Sequence, residues 1–186
     1  SGRAGNRSKN PNKYFDDAIV LKNAFEKELH VDYGMACRYA FYCAQSYKDA
    51  GVAYTDESIM WYQKCLDLGN WDQEKYYSCL MLGGLYTHKN DMVNALKYWF
   101  KSCEYDNERI ECIISAINYL RTTSQNMFVN SLYHRFKGYK RANKLVGKLF
   151  VLETNFNDEL EYHNSIVAYY VGDKASGYDC CKKIII

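Results

Sequence analysis

The segment RYAFYCAQSYKDAG, Arg38 to Gly51, sets Gln45, Ser46 and Asp49 close together among aromatic and small residues. A serine becomes a nucleophile only when a histidine or carboxylate is arranged to take its proton. No histidine lies in the segment, and His30, His88, His134 and His163 are isolated from one another along the chain. There is also no glycine-rich phosphate loop, no D-x-D pair and no H-E-x-x-H motif. No catalytic site is therefore expected within these residues, and none that would hold a cofactor or metal. Gln45 and Ser46 are expected to serve packing or the lining of a groove.

The cysteines at 37, 43, 65, 79, 103, 112, 180 and 181 stand singly apart from the last adjacent pair, without the C-x-x-C spacing of a zinc site. They read as small hydrophobes of a reduced, cytoplasmic protein. A second cluster is RFKGYKRANKLVGK, Arg135 to Lys148, with six basic residues and no acid. At helical spacing Lys137, Arg141, Lys144 and Lys148 form a stripe beside Ala142, Leu145, Leu149 and Leu152. Such a stripe is ordinarily a solvated face, and otherwise a site for phosphate or an acidic partner. Nucleic acid is not expected, because 24 basic and 22 acidic residues leave a formal net charge of only +2.

The elements that must position these residues read as helices. One proline in 186 residues, 19 tyrosines and little period-two alternation predict an all-α chain with short turns. Helices are expected near 12–29, 34–50, 56–68, 72–88, 91–105, 108–122, 125–136, 138–153, 158–171 and 175–184. Thr55 or Asp56, Asp72, Asp91 and Asp158 are the candidate N-caps; Gly51, Gly69 and Gly172 mark C-terminal turns. Residues 1–11 read as a flexible tail and 12–186 as one helical domain. No apolar run is long enough for a membrane span. The chain starts at Ser1 without methionine, which reads as the edge of a longer protein.

An internal period sharpens the fold expectation. In CLMLGGLYTHKNDMVNALKYWFKSC, Leu82, Gly83 and Tyr86 are followed by Ala95, Trp99 and Ser102 at tetratricopeptide spacing. Gly83 and Ala95 are small where two antiparallel helices would cross, and the larger residues fill around the crossing. One unit earlier stand Ala44 and Tyr47 with Ser58, Tyr62 and Cys65; one unit later Ala116 and Tyr119 with Phe128 and Leu132. A tetratricopeptide-like helical-hairpin solenoid of about ten helices follows. Its concave groove would be lined by Arg38, Phe41, Gln45 and Lys48, then Tyr77 and His88, then Arg121. Such a lining suits a protein or peptide.

Four blocks carry a resemblance: GNRSKNPNKYFDDAIVLKNAFEKE, RYAFYCAQSYKDAG, ESIMWYQKCLDLGNWDQEKYYSCLMLG and LFVLETNFNDELEYHNSIVAYYVGDKASGYDCCKKI. In this order they resemble the helical region that follows the catalytic domain of certain bacterial and viral family-2 glycosyltransferases. The resemblance implies a tetratricopeptide-like appendage, with sugar transfer done by an upstream domain whose D-x-D motif holds a divalent metal. It carries no catalytic residue onto this chain. The implied roles are contact with that upstream domain, with an acceptor or with a second copy; the alternative is a free-standing scaffold that holds a peptide or protein. The abundance of Tyr, Asn, Lys and Ile suits an AT-rich genome, such as that of a large DNA virus.

Overall fold

The computed structural model describes residues 10–138, 147–151 and 156–185. Nine α-helices lie among them: α1 (Lys13–Glu28), α2 (Tyr33–Ala50), α3 (Thr55–Leu68), α4 (Asp72–His88), α5 (Met92–Lys101), α6 (Glu111–Thr122), α7 (Asn126–Phe136), α8 (Phe156–Val167) and α9 (Lys174–Ile185). Single 3-10 turns follow α2 at Val52–Tyr54 and α5 at Ser102–Glu104. No strand occurs among the described residues. The all-α helical-hairpin architecture is as the sequence periodicity predicts. The chain divides into two compact units, Ser1–Ala95 and Leu96–Ile186.

In the first unit α1 packs on α2, α2 on α3, and α3 on α4. The crossings are close because the buried positions are small: Ala18, Ala36, Ala40, Cys43 and Ala44 are all fully buried. Side chains of that size also reach the neighbouring backbone. The Cys43 thiol donates to the Ala18 carbonyl (3.4 Å), the Cys37 thiol to Leu68 (3.0 Å) and the Ser58 hydroxyl to Ala44 (3.0 Å). Tyr62, Cys65, Leu82 and Ala95 are fully buried, and Gly83 is buried with them.

In the second unit α6 packs on α7 and α8, α7 on α8, and α8 on α9. Ile110, Ile113, Ile117, Val129, Tyr133, Leu160, Val167 and Cys180 form its core. Each is drawn from an amphipathic stripe at three- and four-residue steps, apart from Ile110, which stands just before α6.

The turns that end α4 and α6 share one form. After α4, Asn90 takes a positive φ of 57° and the Asp91 N–H bonds back to the Tyr86 carbonyl at 2.9 Å. After α6, Ser124 takes φ 60° and the Gln125 N–H bonds to Leu120 at 2.8 Å. These are the same six-to-one C-terminal turn, and Asn90 and Ser124 are 34 residues apart by their numbers (124 − 90). The match equates Tyr86 with Leu120, so the third unit sits one residue later than the register through Tyr119. Burial agrees on the following helix, where Val129 and Tyr133 are buried like Ala95 and Trp99, 34 residues before them by number (129 − 95, 133 − 99).

The caps correct the sequence reading in part. Asp91 does cap α5, its carboxylate accepting from the Asn94 N–H (3.1 Å) and the Asn94 side-chain amide (2.6 Å). Asp32, not singled out in the sequence, caps α2 by accepting from the Met35 N–H at 3.0 Å. Thr55, Asp56, Asp72 and Asp158 instead lie inside the first turns of their helices, where the acids favour the helix dipole. Gly51 closes α2 at φ 116°, a conformation that L side chains rarely adopt. Gly69 has an ordinary φ, but a Cβ there would stand 2.4 Å from the Cys65 carbonyl oxygen.

The helix expected over 138–153 is not formed in its described part. Gly138 takes φ 85° directly after α7, and residues 147–151 are irregular, with Phe150 at φ 46°. Residues 139–146, 152 and 153 lie outside the described residues, as do residues 1–9 of the expected tail.

Candidate functional site

The candidate site of the first unit lies where α2 and α4 begin. Asp32 fixes the start of α2, so Gly34 and Arg38 follow on its first turns. Gly69 and Asn70 end the previous helix and deliver Trp71 and Glu74 to the first turn of α4. Gly34, Arg38, Asn70, Trp71 and Glu74 enclose a cleft of about 330 Å³. Its floor is the Glu74 carboxylate, whose side chain is 5% exposed; its rim is the Arg38 guanidinium, 53% exposed and 3.8 Å away. Burial pushes the Glu74 carboxyl up and Arg38 pulls it the other way. An Arg nitrogen at 3.8 Å is an ion pair and not a hydrogen bond, so the pair is loose enough to open to a polar ligand. The indole of Trp71, 38% exposed, supplies an apolar wall.

The other groove residues divide. Tyr77 is half-buried on α4, and its ring meets that of Phe41 edge-on at 5.9 Å. Phe41 itself is not on an open face. It is fully buried, with Tyr62 edge-on at 6.3 Å, because it continues the α2 stripe of Cys37, Ala40 and Ala44. Gln45 is half-buried, its Nε2 shielded from solvent and without a hydrogen bond. Lys48 pairs with its neighbour Asp49 at 2.9 Å, and His88 is exposed on the last turn of α4. Arg121 belongs to the second unit, where its guanidinium lies 5.8 Å from the Tyr162 ring centroid.

The two described members of the basic stripe, Lys137 and Lys148, do not share a helix. Lys137 ends α7, and Lys148 lies in the irregular segment, where its Nζ binds Asp106 Oδ2 (2.6 Å) and Glu108 Oε2 (3.2 Å). Arg141 and Lys144 lie outside the described residues. Lys148 is thus spent on a structural tie and is closed to an external anion.

Two polar assemblies of the second unit carry no sequence signal. Arg109, fully buried, donates from Nε (3.1 Å) and Nη2 (2.8 Å) to Glu111 Oε1 and from Nη1 to the Leu149 carbonyl (2.8 Å). Asp173 Oδ2 accepts from Asn130 (2.9 Å) and Ser176 (2.5 Å) and meets His134 Nε2 (2.6 Å), while Asn130 also donates to buried Asn164 (2.9 Å). This ties α7, α8 and the start of α9. His163 beside it is buried, its Nδ1 without a hydrogen bond; burial and then Arg121 lower it to about 4, so it stays neutral at pH 7.

Ser176 first, then Asn130 and His134, hold the Asp173 carboxyl well below the usual carboxylate range. A depressed folded value contributes stability that is complete above the unfolded value, about 3.9, and is lost as pH falls below it. The advantage of the native chain over Asp173→Asn in urea unfolding is therefore expected to shrink as pH falls below about 4. An advantage that is unchanged between about pH 5 and about pH 2 would contradict this arrangement.

Among the described residues, no three His, Cys, Asp or Glu side chains gather in a way that could hold a metal. None of the helices described is long and apolar enough to cross a membrane.

No family model matches the chain, and no curated protein matches it. Among solved structures it is similar to BtubC (BKLC) from P. vanneervenii, with 14% identity and a TM-score of 0.61, over 92% of this chain and 71% of that one. At that identity the likeness concerns the all-helical fold alone.

Proposed function

We propose that the chain is a non-catalytic helical-repeat module of tetratricopeptide type that works by holding a protein or peptide, and that it serves as the appendage of a family-2 glycosyltransferase. The observation that carries the binding part is the cleft of Arg38, Trp71 and Glu74: an open apolar wall beside a buried carboxylate and a half-free guanidinium. Such a set recognises the alternating donors and acceptors of a peptide rather than a purely apolar or purely anionic ligand. The 34-residue recurrence of the helix-ending turn supports the repeat assignment. The four blocks quoted above support the glycosyltransferase placement.

The test has two arms. Peptides selected from a random displayed library against the chain are expected to lose binding about tenfold or more in Arg38→Glu and Trp71→Ala, both at exposed positions that leave the fold intact. Selected peptides that ignore both changes would remove the cleft from the account. In the second arm, these 186 residues are expected to consume no nucleotide sugar, with or without manganese. Turnover that vanishes on mutating residues within them would overturn the non-catalytic reading.

A further inference from the structure

A second cleft, wholly within the second unit, has a different character. Leu96 and Phe100 of α5, Leu120 of α6 and Phe128, Ser131 and Leu132 of α7 enclose about 310 Å³. The walls are almost entirely apolar, yet Phe128 is 61% and Phe100 40% exposed, and Met127 beside them is 62% exposed. Two phenylalanines and a methionine left in water along one cleft mark a surface that another molecule covers.

The charges around it say what kind of molecule. Neither α5 nor α7 contains a single Asp or Glu. The acid of α6, Glu111, is buried on Arg109 at the end of the helix opposite Leu120. The cations are set at the edges of the apolar face. Lys97 and Lys101 each follow a lining residue of α5 by one position, about 100° round the helix, and Arg135 continues the Phe128–Leu132 row of α7. Lys97 and Arg135 are exposed, with Arg135 over the Phe136 ring. Lys101 reaches Glu104 at 3.4 Å, where both side chains are well exposed and such a pair is easily exchanged. The other carboxylates near α7 among the described residues are Asp173, held by Asn130 and His134 on the far face of that helix, and Glu161, which is tied to Tyr133 and to Lys183 at 2.7 Å.

We propose that this cleft docks an acidic amphipathic helix supplied by a partner protein. Its apolar residues, spaced i, i+3 or i+4 and i+7, seat against Phe100, Phe128 and Leu132, and its carboxylates meet Lys97, Lys101 and Arg135. The volume suits two or three aliphatic side chains, and the basic edges set both affinity and orientation. The inference does not depend on the Arg38–Glu74 cleft, which uses other residues in the other unit.

The experiment uses a fluorescein-labelled synthetic helix of about sixteen residues with leucine at the anchor positions and glutamate on its flanks, and a counterpart with lysine at every glutamate. Anisotropy is expected to show binding of the acidic peptide at least about tenfold tighter than of the basic one, weakening as salt is raised. Phe128→Ser should reduce it about tenfold, and Lys97→Glu with Arg135→Glu should abolish the preference between the two peptides. These positions are exposed, and circular dichroism of each variant is the check that it remains helical. Equal binding of both peptides, or binding that survives Phe128→Ser, would overturn the proposal. So would sedimentation showing a dimer of this chain that dissociates on Phe128→Ser, since a second copy would then be the occupant.

Discussion

Glu111→Ala is expected to unfold with about 3 to 5 kcal/mol less free energy than the native chain, measured by urea denaturation at pH 7. The Arg109 guanidinium is fully buried and takes two hydrogen bonds to one oxygen of Glu111. Removing the carboxylate takes a counter-charge from a guanidinium in a medium that solvates it poorly, so the cost exceeds that of two hydrogen bonds. The double change Arg109→Met, Glu111→Leu separates these contributions. With no charge left to strand, it should recover most of the loss, although it also gives up the bond to Leu149. A loss below about 1 kcal/mol for Glu111→Ala would mean that water reaches the pair.

Phe41→Ala is expected to cost about 3 to 5 kcal/mol, the range for emptying a buried phenylalanine site. The side chain is fully buried, with the rings of Tyr42, Tyr62 and Tyr77 edge-on around it at 5.3, 6.3 and 5.9 Å. A tyrosine cannot collapse into the space without dragging its hydroxyl inward, so the cavity persists. A residue on the open lining of a groove would instead change stability by about 0.5 kcal/mol or less. Urea unfolding of this one variant therefore decides between a core and a surface role. A midpoint within error of the native chain would return Phe41 to the surface.

That contrast shows how far the sequence could be read. The helices were legible because apolar residues at three- and four-residue steps are interrupted by turn residues, and the buried small positions Ala44 and Ala95 follow from the same pattern. The face of a helical residue was less legible. Phe41 and Arg38 are three positions apart on α2, and only the helices packed around them decide that one is enclosed and the other open. The Asp32 cap was present in the letters, three residues before the N–H it binds, and simply lacked the glutamate that completes a capping box. Arg109 was not legible at all. Its partner Glu111 is two residues away, a spacing with no meaning on a helix, and its other partner Leu149 is forty positions on. That same contact helps explain why 147–151 is not helical: the Leu149 carbonyl accepts from an arginine outside its own segment.

The thiols have a use beyond filling space. None of the eight is in a disulfide, and Cys37, Cys43, Cys65, Cys79, Cys112 and Cys180 are buried while Cys181 is exposed. Burial pushes Cys43 and Cys65 up to about 12, so neither is a thiolate at neutral pH while the helices are closed. An alkylating reagent then waits for each crossing to breathe. Cys43 and Cys65 time the openings of the first unit, Cys112 and Cys180 those of the second, and Cys181 supplies the unprotected rate on the same molecule. The residues that let these helices approach so closely are also clocks, four buried in the first unit and two in the second, for how often they part.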